Sequence, residues 1–178
     1  MPIYQWNYTT PDGCDNMIMN SDGEFLTALC FENSRDGRKT AENCKKKILP
    51  VFEETAAWLD VYFEGKEPDF MPKYKLHGLT PFREQVSEIM KKIPYGETIT
   101  YNDIARQIAK SRNIAKMSAH AVGGAVGWNP ICIIIPCHRV VGAAGSLTGY
   151  GGGIKNKIYL LKTEGIDVSR FTVPSKRI

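Results

Sequence analysis

The residues most able to do chemistry lie together in the run Ile133-Ile134-Ile135-Pro136-Cys137-His138-Arg139. An imidazole and a guanidinium directly follow the thiol of Cys137, and both favour the thiolate over the thiol. A free cysteine has a pKa near ~8.5, so lowering it by about two units requires roughly 2.7 kcal/mol of local electrostatics. The isoleucines predict a short buried strand over 131–135, which Pro136 ends because proline has no N–H for a ladder. Cys137 is therefore expected where a rigid core segment meets an exit.

The ordinary alternative for any cysteine is a buried, unreactive thiol that packs as a small hydrophobic side chain. We assign that role to Cys132, which lies inside the apolar run, and likewise to Cys14, Cys30 and Cys44. Cys137 differs because ionisable groups flank it. The sequence therefore predicts one reactive thiol.

The adjacency of Cys137 and His138 restricts how the two can interact. Successive side chains of an extended chain point to opposite faces, so the imidazole reaches the thiol only if the backbone bends or a water bridges them. A third group is then needed to orient the imidazole. The candidate is Glu164, on a helix predicted to begin near Asn156.

Composition is that of an ordinary globular protein of 178 residues, long enough for one domain or two small ones. No stretch approaches the ~18 apolar residues that span a bilayer, and the first residues have neither a basic nor an apolar signal region, so a cytoplasmic location away from membranes is expected. The odd cysteine count without CxxC spacing argues against a disulfide framework. A metal site from Cys14, Cys30 or Cys44 with His77 stays open, although the spacing matches no common site.

Charge is divided unevenly between the two halves of the chain. Residues 1–79 hold nine basic against thirteen acidic residues, a net charge of −4, whereas residues 80–178 hold fourteen against six, a net charge of +8. A solvated surface is the simple explanation for any run of charge. Such asymmetry nevertheless suggests a polyanionic partner for the half that carries Cys137, and nucleic acid is the obvious candidate.

The first half predicts a small α/β unit. Residues 3–8, 17–19 and 25–31 have strand character, and Asn20-Ser21-Asp22-Gly23 supplies hairpin turn chemistry. A helix is expected from about Ala41 to Glu64, capped by Thr40, kinked or broken at Pro50 and stopped by Gly65, with one apolar face formed by Ile48, Phe52, Thr55, Leu59 and Tyr62. The proline-containing segment 67–73 is the predicted linker.

The second half predicts three short helices followed by strands, which resembles a winged helix-turn-helix. The first helix has Thr80 as N-cap and Pro81 at its first position, the second runs from about Tyr101 to Lys110, and the third starts at Ser118. The third helix consists almost entirely of small residues. Tight packing in the core is one explanation. The functional alternative is a face without bulk that approaches a nucleic-acid groove and presents His120.

The glycine-rich run Gly149-Tyr150-Gly151-Gly152-Gly153 resembles a phosphate loop only superficially. It lacks the Lys-Ser/Thr pair that ends a P-loop, so nucleotide binding is poorly supported. A mobile lid over a cavity suits this run better, and its backbone N–H groups can also be offered to a bound base.

Several further motifs accompany the cysteine and the glycine-rich run. The set consists of Asn129-Pro130, Pro136-Cys137-His138-Arg139-Val140, Gly149-Tyr150-Gly151-Gly152, Leu160-Leu161, Glu164-Gly165, Thr80-Pro81-Phe82 and the run from Ile93 to Tyr101. Together, these motifs resemble the O6-alkylguanine-DNA alkyltransferase family. The resemblance covers essentially the whole second half, whereas the first half matches mainly in size and in the order of strands and helix.

The resemblance implies an α/β (α+β) fold with two domains. A small α/β domain of the ribonuclease H-like type would occupy residues 1–75, and a mostly helical winged helix-turn-helix domain with the active-site cysteine would occupy residues 76–178. It further implies repair of double-stranded DNA by a monomer, in which Cys137 takes the alkyl group from O6 of guanine, or O4 of thymine, once and irreversibly. Neither a metal nor another cofactor is expected.

The resemblance also assigns roles to residues. His138 would accept the proton of Cys137 through a water, Glu164 would fix the tautomer of His138, Asn129 would hold the turn before Cys137, and Tyr101 would donate to the leaving guanine and help to rotate the nucleotide out of the duplex. Contacts with DNA or with the extruded base are expected from a second set, namely Ala119, His120, Gly123, Arg139, Val140, Tyr150 and Gly151.

Two departures from the family pattern are visible. His120 stands where an arginine commonly fills the gap left by the extruded base, and an imidazole is shorter and mostly neutral at pH 7, so weaker or more pH-dependent DNA binding is expected. The segment before the third helix is longer and adds Lys110, Arg112 and Lys116, whose charges could offset that loss through phosphate contacts. Rival functions are a thiol hydrolase, which the adjacency of Cys137 and His138 argues against, and a non-catalytic DNA-binding module, which would need no thiol.

Overall fold

The computed structural model describes residues 2–39 and 43–173. Within these residues the strands are β1 (Ile3–Tyr8), β2 (Met17–Ser21), β3 (Leu26–Phe31), β4 (Cys44–Lys46), β5 (Ile99–Thr100) and β6 (Val140–Val141). The α-helices of the same ranges are α1 (Arg35–Lys39), α2 (Pro50–Phe63), α3 (Pro81–Met90), α4 (Tyr101–Ser111), α5 (Ala119–Gly127) and α6 (Ile154–Thr163), with short 3-10 turns at 137–139, 143–145 and 168–170. The predicted α+β class is confirmed.

The first half forms a four-stranded mixed sheet in the order β3-β2-β1-β4. β2 pairs antiparallel with both β1 and β3, while β4 joins β1 in parallel. The predicted hairpin turn lies between β2 and β3, where the Asp22 carboxylate accepts hydrogen bonds from the backbone N–H groups of Glu24 and Phe25. One face of α2 is buried through Phe52, Thr55, Leu59 and Tyr62, as the apolar pattern predicted.

The predicted long helix from residue 41 is wrong for its first part. Residues 44–46 form β4, and α2 begins only at Pro50. Proline is favourable at the first helical position because its missing N–H would have no partner there, so Pro50 starts a helix and does not kink one. Ile48 lies outside α2 and is 51% exposed. Gly65, with φ +77°, follows the helix as predicted, while the predicted cap Thr40 and start Ala41 lie outside the described residues.

Local capping explains the three helices of the second half. Thr80 accepts from the N–H of Arg83 ahead of α3, and Ser118 accepts from the N–H of Ala121 ahead of α5. Thr100 forms a reciprocal capping box with Asp103 at the start of α4. The three helices pack against one another, and β5 pairs in parallel with β6 beside them. The predicted helix-turn-helix arrangement is thus present.

The apolar run before Cys137 is buried but is not the predicted strand. Ile131 makes an isolated bridge to Leu29 of β3, and the chain then turns, with Ile133 at φ +70°. The apolar composition therefore predicted the burial of this segment correctly but not its conformation. The segment is not extended, because the N–H groups of Ile134 and Ile135 donate to the carbonyls of Cys132 and Ile131.

One continuous apolar core includes residues of both halves, for example Phe31 and Leu59 together with Ile104, Ile131 and Leu160. The division into domains at residue 75 stays a prediction. In the described part of the chain, no helix has both the length and the apolar character needed to cross a membrane.

Candidate active site

The site begins with the side chain of Asn129, which follows the end of α5. Its amide donates to the carbonyls of Ile131 (3.2 Å) and Ile135 (2.8 Å), and its carbonyl accepts from the N–H of Ile131 (3.1 Å). These three bonds replace the strand pairing that the run lacks and satisfy buried backbone groups. Asn129 therefore fixes the turn that leads to Cys137.

Cys137 opens a 3-10 turn that also contains His138 and Arg139, and it is 5% exposed. The pKa of its thiol is lowered to about 7, most strongly by a hydrogen bond from the Cys132 thiol. Burial opposes the shift, whereas Asn129, the charge of Lys157 and the Tyr150 hydroxyl contribute to it. A substantial fraction of Cys137 is therefore thiolate near neutral pH, which is the nucleophilic form.

His138 and Arg139 both contact Glu164, the residue that follows α6. Nε2 of His138 lies 2.5 Å from Oε1 of Glu164, while Nε and Nη2 of Arg139 donate to Oε2 and Oε1 at 2.8 and 3.1 Å. Burial acts to raise the pKa of Glu164, but the hydrogen bonds and charges of His138 and Arg139 outweigh it and lower this pKa to about 2. Glu164 is therefore an ionised acceptor at any working pH.

The protonation of His138 follows from this arrangement. Burial lowers the pKa of the imidazole, and the opposing attraction of Glu164 is partly cancelled by the charges of Arg139 and Lys157. A neutral imidazole next to a carboxylate must carry its proton on Nε2, because the carboxylate only accepts. Nδ1 is then a free base, and this buried atom has no hydrogen-bond partner in the structure.

Two further elements hold Glu164. The hydroxyl of Tyr62 in α2 donates to Oε1 at 2.8 Å and lies 3.3 Å from Nε2 of His138. The backbone N–H of Gly96 donates to Oε2 at 3.0 Å. The carboxylate is thus surrounded by donors, so the imidazole has one fixed orientation.

Cys137 lies at a cavity of about 280 Å³. Tyr101, Asn129, Tyr150 and Gly151 line it from the second half, and residues of β3 and α1 line it from the first. The Gly149–Gly153 loop forms part of the wall. A Cβ atom on Gly152 would lie 2.6 Å from the Tyr150 ring and 2.7 Å from the Phe31 ring, so no larger residue fits there without rearrangement.

A second, more open groove of about 450 Å³ runs beside the cavity and shares Tyr101 with it. Ala119, His120 and Gly123 of α5 line this groove, and His120 is exposed. A Cβ atom on the neighbouring Gly124 would meet nothing within 4 Å. The backbone of α5 is therefore open to close approach by another molecule.

Comparison with known proteins agrees with this geometry. Residues 81–166 match the family described as 6-O-methylguanine DNA methyltransferase, DNA binding domain. The methylated-DNA–protein-cysteine methyltransferase of Haemophilus influenzae is 37% identical over 165 residues, which cover 92% of this chain and 87% of that protein. The chain belongs to this family.

Solved structures of the family share the fold over nearly the full length. The crystal structure of Mycobacterium tuberculosis O6-methylguanine methyltransferase superposes with a TM-score of 0.75 at 36% identity and covers 96% of this chain and 95% of that one. The crystal structure of Mycobacterium tuberculosis OGT in complex with DNA gives a TM-score of 0.74 at 36% identity and covers 93% and 94%.

The structure brings the predicted site residues together in two groups. Tyr101, Asn129, Tyr150 and Gly151 surround the cavity at Cys137, and His138 with Glu164 lies behind it. Ala119, His120 and Gly123 line the groove.

Two residues of the predicted DNA-contacting set are placed differently from expectation. Arg139 donates to Glu164 and, through Nη1, to the carbonyl of Ile93 at 2.7 Å, so its side chain serves the interior and is not at a DNA surface. Val140 is fully buried, and its carbonyl accepts from Lys157. Arg139 is buried because the charge of Glu164 needs a cationic partner in the interior.

The basic segment before α5 is only partly available for the phosphate contacts that the sequence suggested. Lys110 and Lys116 are exposed, but Nε of Arg112 donates to Gln85 at 2.9 Å and its guanidinium lies 5.5 Å from the centre of the Phe82 ring. In the described part of the chain, no three His, Cys, Asp or Glu side chains are grouped so that they could hold a metal.

Sequence reasoning missed three residues of the site. Tyr62 was expected only as an apolar contact of α2, Cys132 was taken as inert, and Lys157 was not noticed. Tyr62 and Glu164 are 102 positions apart, so no local pattern could connect them. A lysine between the apolar residues of an amphipathic helix was the one available signal for Lys157, because lysine is almost never fully buried without a partner.

Proposed function

We propose that this protein repairs alkylated double-stranded DNA by transferring the alkyl group from O6 of guanine, or O4 of thymine, to the sulfur of Cys137. The observation that carries the proposal is the thiol of Cys137 at a cavity, held by the turn that Asn129 fixes and followed directly by a buried histidine bound to Glu164. A hydrolase would need a second reaction to release the group. The product here would be a thioether, whose S–C bond water does not cleave, so the transfer is stoichiometric and each molecule acts once.

The chemistry needs no cofactor. The proton of Cys137 passes through a bridging water to Nδ1 of His138, and Glu164 stabilises the imidazolium that forms. The thiolate then attacks the alkyl carbon, so that an S–C bond forms while the C–O6 bond breaks and its electrons stay on the guanine. The base leaves as an enolate-like anion, and the proton that Cys137 gave up balances the one that this anion takes up to become guanine.

Tyr101 assists the departure of the base. Its hydroxyl lies at the shared edge of cavity and groove, 3.4 Å from the carbonyl of Thr148. Burial and the charge of Cys137 raise the pKa of Tyr101 to about 12, so the hydroxyl remains a donor at neutral pH. Donation to the leaving guanine stabilises the negative charge that develops on it.

DNA binds along the groove, with α5 in contact with the duplex. The small residues Ala119 and Gly123 let the helix approach, and His120 fills the gap in the stack. The damaged nucleotide rotates into the cavity, where backbone groups of Gly151 read its edge and Tyr150 lines the wall. Extrusion costs a few kcal/mol, and less for a base that pairs badly, which favours the lesion.

The protein acts as a monomer in the cytoplasm. Every group used in the transfer comes from one chain, which supports action without a second copy. A reactive thiol and an odd number of cysteines suit a reducing compartment.

The decisive experiment is to incubate the protein with duplex DNA that carries methyl-labelled O6-methylguanine and to locate the label by peptide mass. We expect one methyl group per chain, on Cys137, and no further reaction. Cys137→Ala should bind the DNA without label, and Cys132→Ala, which removes the neighbouring thiol, should still be labelled on Cys137. DNA binding without transfer in the wild type would instead mean a lesion-binding module, and product beyond one equivalent would mean a hydrolase.

A further inference from the structure

The cavity at Cys137 is lined in part by two short side chains from the first half of the chain. These are Ala28 and Cys30 of β3, which we call the β3 wall. Cys30 is buried and Ala28 is half-buried. Transfer of a methyl group, as proposed above, uses neither residue, so this side of the cavity has no role in that reaction.

The β3 wall is fixed relative to the thiol. Leu29, which lies between Ala28 and Cys30, forms a bridge to Ile131 in the apolar segment that leads to Cys137. On its other side, β3 pairs antiparallel with β2 along its length. Because β3 is held from both sides, its short side chains cannot simply move away to make space for a bound group, and the room beside them is a permanent feature of the cavity.

Two other sides of the cavity offer less room. A Cβ atom on Gly152 would lie 2.6 Å from the Tyr150 ring, so the glycine-rich loop is already packed closely at that point. Tyr101 lies where the cavity meets the groove, which is the side from which the base enters on the proposed function. The β3 wall, by contrast, carries only a methyl group at Ala28 and a thiol at Cys30.

The geometry of alkyl transfer determines where space is needed. Displacement at carbon requires the attacking sulfur, the alkyl carbon and the departing O6 to lie in line. The other three groups on that carbon then lie in a plane across this line. In a methyl group they are hydrogens, so methyl transfer needs almost no room to the side. A longer alkyl group places its next carbon in that plane and needs space beside the sulfur.

We propose that the β3 wall receives the remainder of alkyl groups longer than methyl, so that Ala28 and Cys30 set the largest group that Cys137 can take. This inference rests on the proposed function, which it deepens by naming a substrate class. The class is unbranched apolar alkyl groups such as n-butyl on O6 of guanine, because the β3 wall carries no charge. The bonds are those of methyl transfer: the S–C bond forms, and the C–O6 bond breaks with its electrons on the guanine, which takes up a proton.

The test compares single-turnover rates of transfer from two duplexes that differ only in carrying O6-n-butylguanine or O6-methylguanine. In Ala28→Leu the added carbons fill the space beside the β3 wall, so the ratio of the butyl rate to the methyl rate should fall about tenfold or more. Ala56→Leu is the matched control, since it makes the same change at a half-buried position of α2 that does not line the cavity. Its ratio should equal that of the wild type.

A second variant covers the case in which leucine prevents folding. Ala28→Val adds a smaller, β-branched side chain that suits a strand, and the ratio should fall in the same direction by about threefold. A folded variant at Ala28 that keeps the wild-type ratio would overturn the inference.

A further measurement needs no DNA and so separates this inference from the proposed function. Methyl and n-butyl methanethiosulfonate each react with a thiolate, which forms an S–S bond to the alkylthio group while methanesulfinate leaves. Attack at sulfur is also in line, so the alkyl chain again projects to the side. Peptide mass follows the reaction at Cys137, and the butyl-to-methyl ratio should again fall in Ala28→Leu.

The outcomes of this measurement are distinct. Equal ratios in the wild type and in Ala28→Leu would refute the role of the β3 wall. A size effect with the thiosulfonates in a protein that takes no alkyl group from DNA would disprove the proposed function and leave the β3 wall supported.

Discussion

The hydroxyl of Tyr62 offers a sharp test of how the two halves of the chain share the active site. Tyr62→Phe removes only this oxygen from a residue with no exposed surface and leaves the ring packing of α2 in place. Burial and the charge of Glu164 hold the pKa of Tyr62 well above its usual value, so the hydroxyl is a donor to the carboxylate at every working pH. The substitution therefore deletes one hydrogen bond to a charged acceptor.

The expected loss of stability follows from that bond. A hydrogen bond to a charged group contributes about 1.5–3 kcal/mol, and this one is short and shielded from solvent, so little screening applies. For a chain of this length, a loss of 2 kcal/mol lowers Tm by about 4 to 8 °C. Glu164 keeps His138, Arg139 and Gly96 as donors, so methyl transfer should slow by less than about tenfold, or 1.4 kcal/mol.

Urea unfolding of Tyr62→Phe should be compared with that of Tyr95→Phe. The Tyr95 hydroxyl donates to the neutral carbonyl of Thr163 at 3.3 Å, so the same atom is removed from a weaker bond. We expect the control to lose about 1 kcal/mol or less. Equal losses in the two variants, or a Tyr62→Phe as stable as the wild type, would show that Tyr62 does not tie α2 to the Glu164 network.

Three other substitutions test separate parts of the structure. Glu164→Gln should lower the free energy of unfolding in urea by about 3–5 kcal/mol, because it leaves Arg139 buried without its partner. In the wild type, the low pKa of Glu164 contributes stability that should be lost as pH falls from the normal carboxyl pKa towards about 2. A free energy of unfolding that stays constant over this pH range would contradict that role of Glu164. His120→Arg should tighten binding to duplex DNA measured by fluorescence anisotropy, and an unchanged Kd would exclude a role for this residue in the duplex. Gly124→Ala should stabilise α5 by up to about 1 kcal/mol, because alanine favours a helix over glycine. It should also weaken DNA binding, because the added methyl group would occupy open space on the proposed contact face. A more stable variant that binds DNA as well as the wild type would show that DNA does not contact this face of α5.

The sequence predicted the structure correctly where neighbouring residues alone determine it. The starts of α3 and α5 follow from Thr80 and Ser118, because a cap and the turn it closes lie within a few residues of each other. The predicted start of α2 was wrong because residues 44–46 owe their strand conformation to parallel pairing with β1, some forty positions away. The residues around 44–46 give no sign of that pairing.

The same distinction applies to the residues of the candidate site. Cys137, His138 and Glu164 were found from neighbouring residue types and from the resemblance to a family. The burial of Arg139 and the approach of Lys157 and Tyr62 depend on which side chains the folded core brings together. Those contacts follow from the charge of Glu164 and from packing between distant segments, which one sequence does not reveal.

Leu29 of β3 joins the two halves of the chain next to the cavity. Its N–H donates to the carbonyl of Pro130 and its carbonyl accepts from the N–H of Cys132, each at 2.8 Å, so the segment leading to Cys137 is attached as an extra edge to the N-terminal sheet. A hinge that separated the two halves would break these bonds and expose the shared core. On the proposed function, a nucleotide would therefore enter the cavity without separation of the two halves, and a covalent link between β3 and the Pro130 segment would leave the reaction intact.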